Sequence, residues 1–97
     1  MTNKAPYHPA AIANYFIENR DKLDLSGLTN MKLQKLVYFS ESLFLNLSEG
    51  VPLIDEEIEA WAYGPVIKSL YHKLKGNSGE ITEPIKLFNI NELKWQI

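Results

Sequence analysis

The hydrophobic positions between residues 29 and 47 follow the period of an α-helix for about five turns. The segment reads TNMKLQKLVYFSESLFLNL, and its main stripe contains Leu33, Leu36, Val37, Ser40, Leu43, Phe44 and Leu47. Thr29 or Asn30 can cap the first turn, because either side chain accepts a hydrogen bond from a free backbone N–H. Phe39 falls on a different, partly polar side with Lys32, Lys35, Ser42 and Asn46. The pattern predicts a long helix with one aromatic residue on its outer side.

A shorter helix is predicted nearer the N-terminus, over HPAAIANYFIENRDKL at residues 8–23. Pro9 suits the first turn, where its missing N–H costs nothing. The pattern places Ile12, Ala13, Phe16, Ile17 and Leu23 on the buried side, and Asn14, Glu18 and Asp21 in water. Gly27 is expected to supply a left-handed turn before the long helix.

The second half of the chain predicts a small β-element and further helices. Residues 57–63 alternate with the two-residue period of a strand, and Gly64 permits a turn after them. Pro65 is expected to open a third helix with the stripe Val66, Ile67, Leu70, Tyr71 and Leu74, which Gly76 ends. Residues 80–88 can pair as an edge strand, since Pro84 cannot lie in the middle of a sheet. The tail NINELKWQI starts a fourth helical pattern. The expected fold is therefore mainly helical, α+β, with three to four helices and a two-stranded antiparallel β-element.

Composition restricts the class of protein. The 97 residues, 45% of them hydrophobic, predict a single domain spanning residues 1–97. The absence of cysteine excludes disulfides and thiolate chemistry. No secretory signal and no apolar run of membrane-spanning length is present, so a cytoplasmic protein without a membrane partner is expected.

Candidate catalytic residues are few. His8 and His72 are far apart in sequence and lack an obvious carboxylate neighbour. Glu57 and Glu59 would share one face of a strand, which suits a carboxylate pair or a metal site, but acids before a strand more often keep a sheet edge soluble. A hydrolase that uses these acids stays an open alternative. The prediction is a protein that is not an enzyme and has neither cofactor nor metal.

Two kinds of binding partner remain. The charges from Glu49 to Glu59 are all acidic, whereas those from Ala60 to Gly79 are all basic. Lys32 and Lys35, with the lysines of the third helix, could imitate a helix-turn-helix, although the net charge is −2 and Arg20 is the single arginine. The large rings, which include Tyr38, Phe39, Trp61, Tyr63 and Tyr71, are too many to bury in so small a domain, and such rings beside lysines are typical of protein interfaces. Protein binding is favoured, and DNA binding is the alternative.

Two segments carry a family resemblance. The first is LTNMKLQKLVYFSESLFL, residues 28–45, and the second is PLIDEEIEAWAYGPVIKSLYHKLK, residues 52–75. Together they resemble the signature of the Panacea, or SocA-like, antitoxin domain, which also occurs in phage-associated GepA-type proteins. Members of this family usually continue for several dozen residues beyond the point that corresponds to Ile97, so a short member lacking the C-terminal part is expected.

The resemblance implies a function. It implies a non-enzymatic antitoxin that neutralises a cognate toxin, usually encoded beside it and often in a prophage, by direct protein–protein contact. One branch of the family acts as an adaptor to a AAA+ protease. The alternative is a transcriptional regulator of a prophage or toxin–antitoxin operon. Self-association as a homodimer is also expected. The residues expected to contact a partner are Lys32, Gln34, Lys35, Tyr38, Phe39, Trp61, Tyr63 and Tyr71.

Overall fold

The computed structural model describes residues 6–76 and 79–86. In this part of the chain, three helices and two short strands follow one another: α1 Pro9–Glu18, α2 Asn30–Leu47, β1 Glu59–Trp61, β2 Gly64–Val66 and α3 Lys68–Leu74. The predicted class, mainly helical α+β with a two-stranded antiparallel element, is confirmed. The fourth helical pattern, at residues 89–97, lies outside the described residues.

Helix α2 confirms the predicted long helix. Thr29 is its cap: the Thr29 hydroxyl accepts from the N–H of Lys32 at 3.2 Å. Leu33 and Val37 are fully buried, but Leu43 and Leu47 are 60% and 75% exposed. The predicted stripe is therefore buried in the N-terminal half of α2 and leaves the core in the C-terminal half.

Helix α1 begins as predicted but ends earlier. The His8 side chain caps it, since Nδ1 accepts from the N–H of Ala10 at 3.0 Å, and the helix stops at Glu18 rather than at residue 23. A turn follows, in which Leu25 N–H donates to the carbonyl of Arg20 at 2.8 Å and Asp24 has a positive φ of 57°. Leu23 is consequently 43% exposed instead of buried.

The β-element is a hairpin rather than a strand followed directly by a helix. In its register Glu59 pairs with Val66, Ala60 with Pro65 and Trp61 with Gly64. Pro65 thus lies in β2, and α3 starts three residues later than the proline predicted. Gly64 has a φ of 118°, a backbone conformation that other residues rarely adopt, and this lets the chain reverse after Tyr63.

The segment after α3 is not a strand between residues 79 and 86, which corrects the predicted edge strand at 80–88. Its backbone instead binds a side chain of α1 and the residue two positions before α2. Ile81 N–H donates to the Leu28 carbonyl at 2.6 Å. Ile85 is held by the side chain of Asn14, whose Oδ1 accepts from Ile85 N–H at 2.6 Å and whose Nδ2 donates to the Ile85 carbonyl at 2.9 Å. Asn14, expected in water, is therefore buried at 9% exposure.

One hydrophobic core joins the three helices. Its buried members are Ile12, Ala13, Ile17, Leu28, Leu33, Val37, Ile54, Ile67, Leu70, Leu74 and Ile81. The segment between α2 and β1 packs beside the N-terminus of α1, where Tyr7 and Ile54 form a parallel bridge. Ile54 is also a member of the core. This packing fixes the hairpin on one side of α2.

Candidate partner-binding surface

The hairpin is attached to α3 by the indole of Trp61. Its ring meets the ring of Tyr71 edge to face, with 5.1 Å between the centroids. The indole N–H donates to Oε1 of Glu59 at 2.9 Å. The other carboxylate oxygen of Glu59 lies 3.9 Å from Nζ of Lys68, a loose and exposed ion pair. Trp61 and Tyr71, both half-buried, therefore stabilise the hairpin as well as presenting ring edges to solvent.

Tyr63 lies at the tip of the hairpin and is 79% exposed. On the neighbouring side, Tyr38 of α2 and Trp61 border a shallow groove of about 370 Å³, lined by Tyr38, Ile58, Glu59, Ala60, Trp61, Gly64 and Pro65. We call the set Tyr38, Trp61, Tyr63 and Tyr71 the hairpin surface. The fold brings together four of the predicted partner residues, which are separated by up to 33 positions in the sequence, in and around one hairpin turn.

Three further predicted residues lie on the outer face of α2. Lys32 and Lys35 are exposed, and Phe39 is 64% exposed. Together with Leu25 and Leu36 they line a second shallow groove of about 360 Å³. The centroids of the Phe39 and Tyr38 rings are 5.8 Å apart. These two rings therefore connect the outer face of α2, which contains Phe39, with the side of α2 that borders the hairpin groove, which contains Tyr38.

Gln34, also predicted as a partner contact, lies inside the fold with 0% exposure. Its Oε1 accepts from the N–H of Ile67 at 2.8 Å, and its Nε2 donates to the Ile67 carbonyl at 3.4 Å and to Oδ1 of Asn30 at 3.3 Å. The side-chain amide thus pairs with the residue that precedes α3 as a neighbouring strand would. A fully buried side chain cannot touch a partner, so Gln34 supports the surface from within.

Sequence reasoning missed other polar side chains that bind backbone. Glu41, 8% exposed, accepts from the N–H groups of Leu53 at 2.7 Å and Ile54 at 3.2 Å through Oε1. Glu56 accepts from the N–H of Ser69 at 2.9 Å and from its hydroxyl, which stabilises the first turn of α3. One signal was available: Gln34 and Glu41 are seven residues apart, so they share a helix face beside Leu33 and Val37.

Of the candidate carboxylate pair Glu57 and Glu59, only Glu59 lies in β1. Its carboxylate accepts from the Trp61 indole and faces Lys68, as described above. The desolvation of the Asp55 carboxyl raises its pKa above the ordinary value; attraction to His8 and a hydrogen bond from its own backbone oppose this, and repulsion by Glu56 adds to it. Within residues 6–76 and 79–86, no three His, Asp or Glu side chains are grouped so that they could hold a metal ion.

In the same described part of the chain, no helix has the length and apolar character needed to cross a bilayer.

Comparison with known proteins agrees with the resemblance. Residues 33–95 match the family model described as "Antitoxin SocA-like, Panacea domain". The chain is 37% identical over 67 residues to "Antitoxin SocA" of Caulobacter vibrioides (strain NA1000 / CB15N), a match that covers 69% of this chain and 35% of that protein. The chain therefore aligns with about a third of the length of this curated relative. No solved structure matches it significantly. Because the family model covers well over half of the residues, the chain belongs to the SocA-like antitoxin family with a Panacea domain.

Proposed function

We propose that this protein is an antitoxin that neutralises a partner toxin by direct contact and catalyses no reaction. Membership of the SocA-like family is the observation that carries the proposal. The hairpin surface is where we place the contact. Tyr63, Trp61 and their neighbours have the properties of interface anchors: large rings with polar tips, on a short turn whose conformation is held by packing on α3.

The rigidity of the hairpin supports this placement. Trp61 packs on Tyr71, and Gln34 and Glu56 bind the backbone on either side of the start of α3. A ring on a preformed support loses little conformational freedom on binding, so more of its contact energy appears as affinity. Tyr63 itself contributes little to the fold, because 79% of its surface is exposed.

The test is a binding measurement with the product of the neighbouring gene, since antitoxins of this type are usually encoded beside their toxins. We expect Tyr63→Ser to weaken the complex by about 10–100-fold, the effect of losing one aromatic anchor, and to leave the melting temperature unchanged. Tyr15→Ser is the matched control: Tyr15 is 43% exposed but lies on α1, away from the hairpin. Equal weakening by both variants contradicts the hairpin surface, and absence of any complex contradicts the function.

Lys32, Lys35 and Phe39 remain predicted partner contacts on the outer face of α2. Lys35→Glu in the same binding measurement tests whether the toxin extends around the helix to that face. A loss of affinity with Lys35→Glu and none with Tyr63→Ser would move the toxin contact from the hairpin surface to the outer face of α2.

Delivery to a AAA+ protease is a separate form of the proposal. An adaptor shortens the half-life of the toxin in cells, whereas simple occlusion leaves it unchanged or lengthens it. Following toxin decay after synthesis is stopped, with and without this protein, distinguishes the two.

The DNA-binding alternative predicts a different result. In a gel-shift experiment the upstream operator DNA should give a shifted band that weakens steeply as salt is added.

A further inference from the structure

The hairpin has two edges, and the position of Pro65 fixes which backbone groups each edge presents. In the register of the two strands Ala60 lies opposite Pro65. Proline has no N–H, so this pair cannot exchange two backbone hydrogen bonds and is a non-hydrogen-bonded pair of the antiparallel ladder. The bonds between the strands therefore belong to the neighbouring pairs, and the N–H and carbonyl of Ala60 point away from β2.

The outer edge of β2 is closed to a further strand. At Pro65 this edge has no donor. At the next outward position, Ile67, the N–H donates to Oε1 of Gln34 at 2.8 Å and the carbonyl accepts from Nε2 of Gln34 at 3.4 Å. The Gln34 amide of α2 thus takes the place of a neighbouring strand. The outward direction of the Ile67 backbone also agrees with the alternation deduced from Pro65.

The outer edge of β1 is open. Ala60 is exposed, and within residues 6–76 and 79–86 no group forms a hydrogen bond with its outward N–H or carbonyl. Proteins usually protect such an edge with a proline, a bulge, a charge or a covering element. The nearest charge, Glu59, is engaged on one face of the hairpin, because its carboxylate accepts from the Trp61 indole and lies 3.9 Å from Nζ of Lys68.

The open edge borders the hairpin groove. A residue that pairs with Ala60 from outside directs its side chain to the same face as Ala60. Ala60, Ile58, Pro65 and Tyr38 help to line the groove of about 370 Å³, so an apolar side chain at that position has apolar neighbours. The next residue of the added strand faces the other way and lies opposite Glu59, where a lysine or arginine is favoured.

We infer that β1 pairs through Ala60 with an extended segment of the toxin, which becomes a third strand of the hairpin. The segment places an apolar residue opposite Ala60 and a basic residue opposite Glu59. This inference rests on the proposed function, since it states how the toxin meets the hairpin that presents Tyr63. A second copy does not offer the complementary charge, because every charged residue between positions 55 and 61 is acidic.

The first test is hydrogen exchange of single amides in the complex with the product of the neighbouring gene, followed by NMR. We expect the Ala60 amide to exchange about 10-fold or more slowly in the complex than in the free protein, because its N–H gains a bonded partner. The Val66 amide is the internal control, since it bonds to β1 in both states and should change less.

The outcomes of this test separate the inference from the proposed function. A complex in which the Ala60 amide exchanges as fast as in the free protein overturns the inference and leaves the antitoxin function standing. Absence of any complex contradicts the function itself and the inference with it.

The second test compares Ala60→Pro with Ala60→Val. Proline removes the outward N–H without breaking a bond to β2, whereas valine adds similar bulk and keeps the N–H. We expect Ala60→Pro to bind the toxin about 10-fold or more weakly than Ala60→Val does. Equal affinities of the two variants overturn the inference. The melting temperature shows whether Ala60→Pro is folded, and if it is not, the exchange of the wild-type Ala60 amide decides.

Other occupants of the edge give different results. If two copies pair edge to edge, the Ala60 amide of the protein alone is protected at high concentration, and sedimentation shows a dimer that Ala60→Pro dissociates. If the edge is closed within the chain, the same amide is protected in the free monomer. Either result overturns the inference that a toxin strand occupies β1.

Discussion

The two faces of α2 differ in a way that polarity alone does not explain. The inner face contains two polar side chains, Gln34 and Glu41, which are 0% and 8% exposed. The outer face contains large apolar side chains: Phe39, Leu43 and Leu47 are 64%, 60% and 75% exposed. Inside, Gln34 and Glu41 bind backbone groups of the same chain. Burial on α2 therefore follows the hydrogen-bond partners that the fold supplies and not the polarity of the side chain alone.

The largest expected difference comes from one substitution made on both faces. Leu33→Ala removes a fully buried side chain and should lower the free energy of unfolding by about 2–5 kcal/mol, whereas Leu47→Ala should change it by less than about 0.5 kcal/mol. Urea unfolding measures both costs. If the two costs were similar, Leu47 would be covered within the monomer, and the outer face would not be open.

The next contrast is between neighbouring polar residues. Gln34→Met keeps the length of the side chain but leaves the N–H and carbonyl of Ile67 without the Gln34 amide, and should cost about 2–4 kcal/mol. The matched variant Lys35→Met, on the exposed side, should be nearly neutral. Thermal unfolding followed by circular dichroism is sufficient, since this difference corresponds to about 10–20 °C in a domain of this size. A neutral Gln34→Met would mean that the Gln34–Ile67 pairing does not hold α3.

A smaller effect is expected at Glu41. Glu41→Met removes the acceptor shared by the N–H groups of Leu53 and Ile54 and should cost about 1.5–3 kcal/mol. Glu41→Gln keeps an oxygen in the same place and should recover at least half of that loss. Hydrogen exchange of the Leu53 and Ile54 amides reports the contact directly. Equal losses in the two variants would show that the carboxylate charge, rather than the acceptor geometry, holds this segment.

These residues also show what the sequence could and could not predict. Helix α2 was predictable to within a residue, because Thr29 provides a cap and Leu33, Leu36 and Val37 follow the helical period. The seven-residue spacing of Gln34 and Glu41 places both on the helix face of Leu33 and Val37, but the sequence does not show what they bind. Their partners, Ile67 and Leu53, lie 33 and 12 positions away and are backbone groups. Asn14 was assigned to water for the same reason, since its partner is the backbone of Ile85, 71 positions away. The predicted strand at 80–88 is wrong for its described residues, because Ile85 binds a side chain of α1 and not a neighbouring strand.

The candidate surface shows the same limit. The prediction placed Tyr38, Trp61, Tyr63 and Tyr71 among the residues that meet a partner, and the fold brings these four together around the hairpin. The predicted set also included Phe39, although the helical period already places Phe39 on another face of α2. The sequence did not show that Leu43 and Leu47 lie beyond the end of the core, since helical spacing indicates a face but not how far the opposing elements reach.

The smallest effect concerns Asp55, an acid that, unlike Glu41, has a raised pKa. Because its pKa is higher in the folded protein than the ordinary value of 3.8, the folded state binds the proton more tightly than the unfolded state does. The protonated carboxyl therefore favours folding at low pH, and this contribution is lost as the pH rises through the folded pKa. Asp55→Asn should consequently be slightly more stable than the wild type at neutral pH, by less than about 0.5 kcal/mol because the carboxyl is largely exposed and screened. The gain should vanish below about pH 4, where Asp55 is itself protonated.

Urea unfolding across this pH range measures the gain in stability, with Glu57→Gln as a control that removes a charge from the same acidic segment. A less stable Asp55→Asn at neutral pH would show that attraction to His8 exceeds the cost of desolvation, and Asp55 would then resemble Glu41 as an acid that helps to hold the chain between α2 and β1.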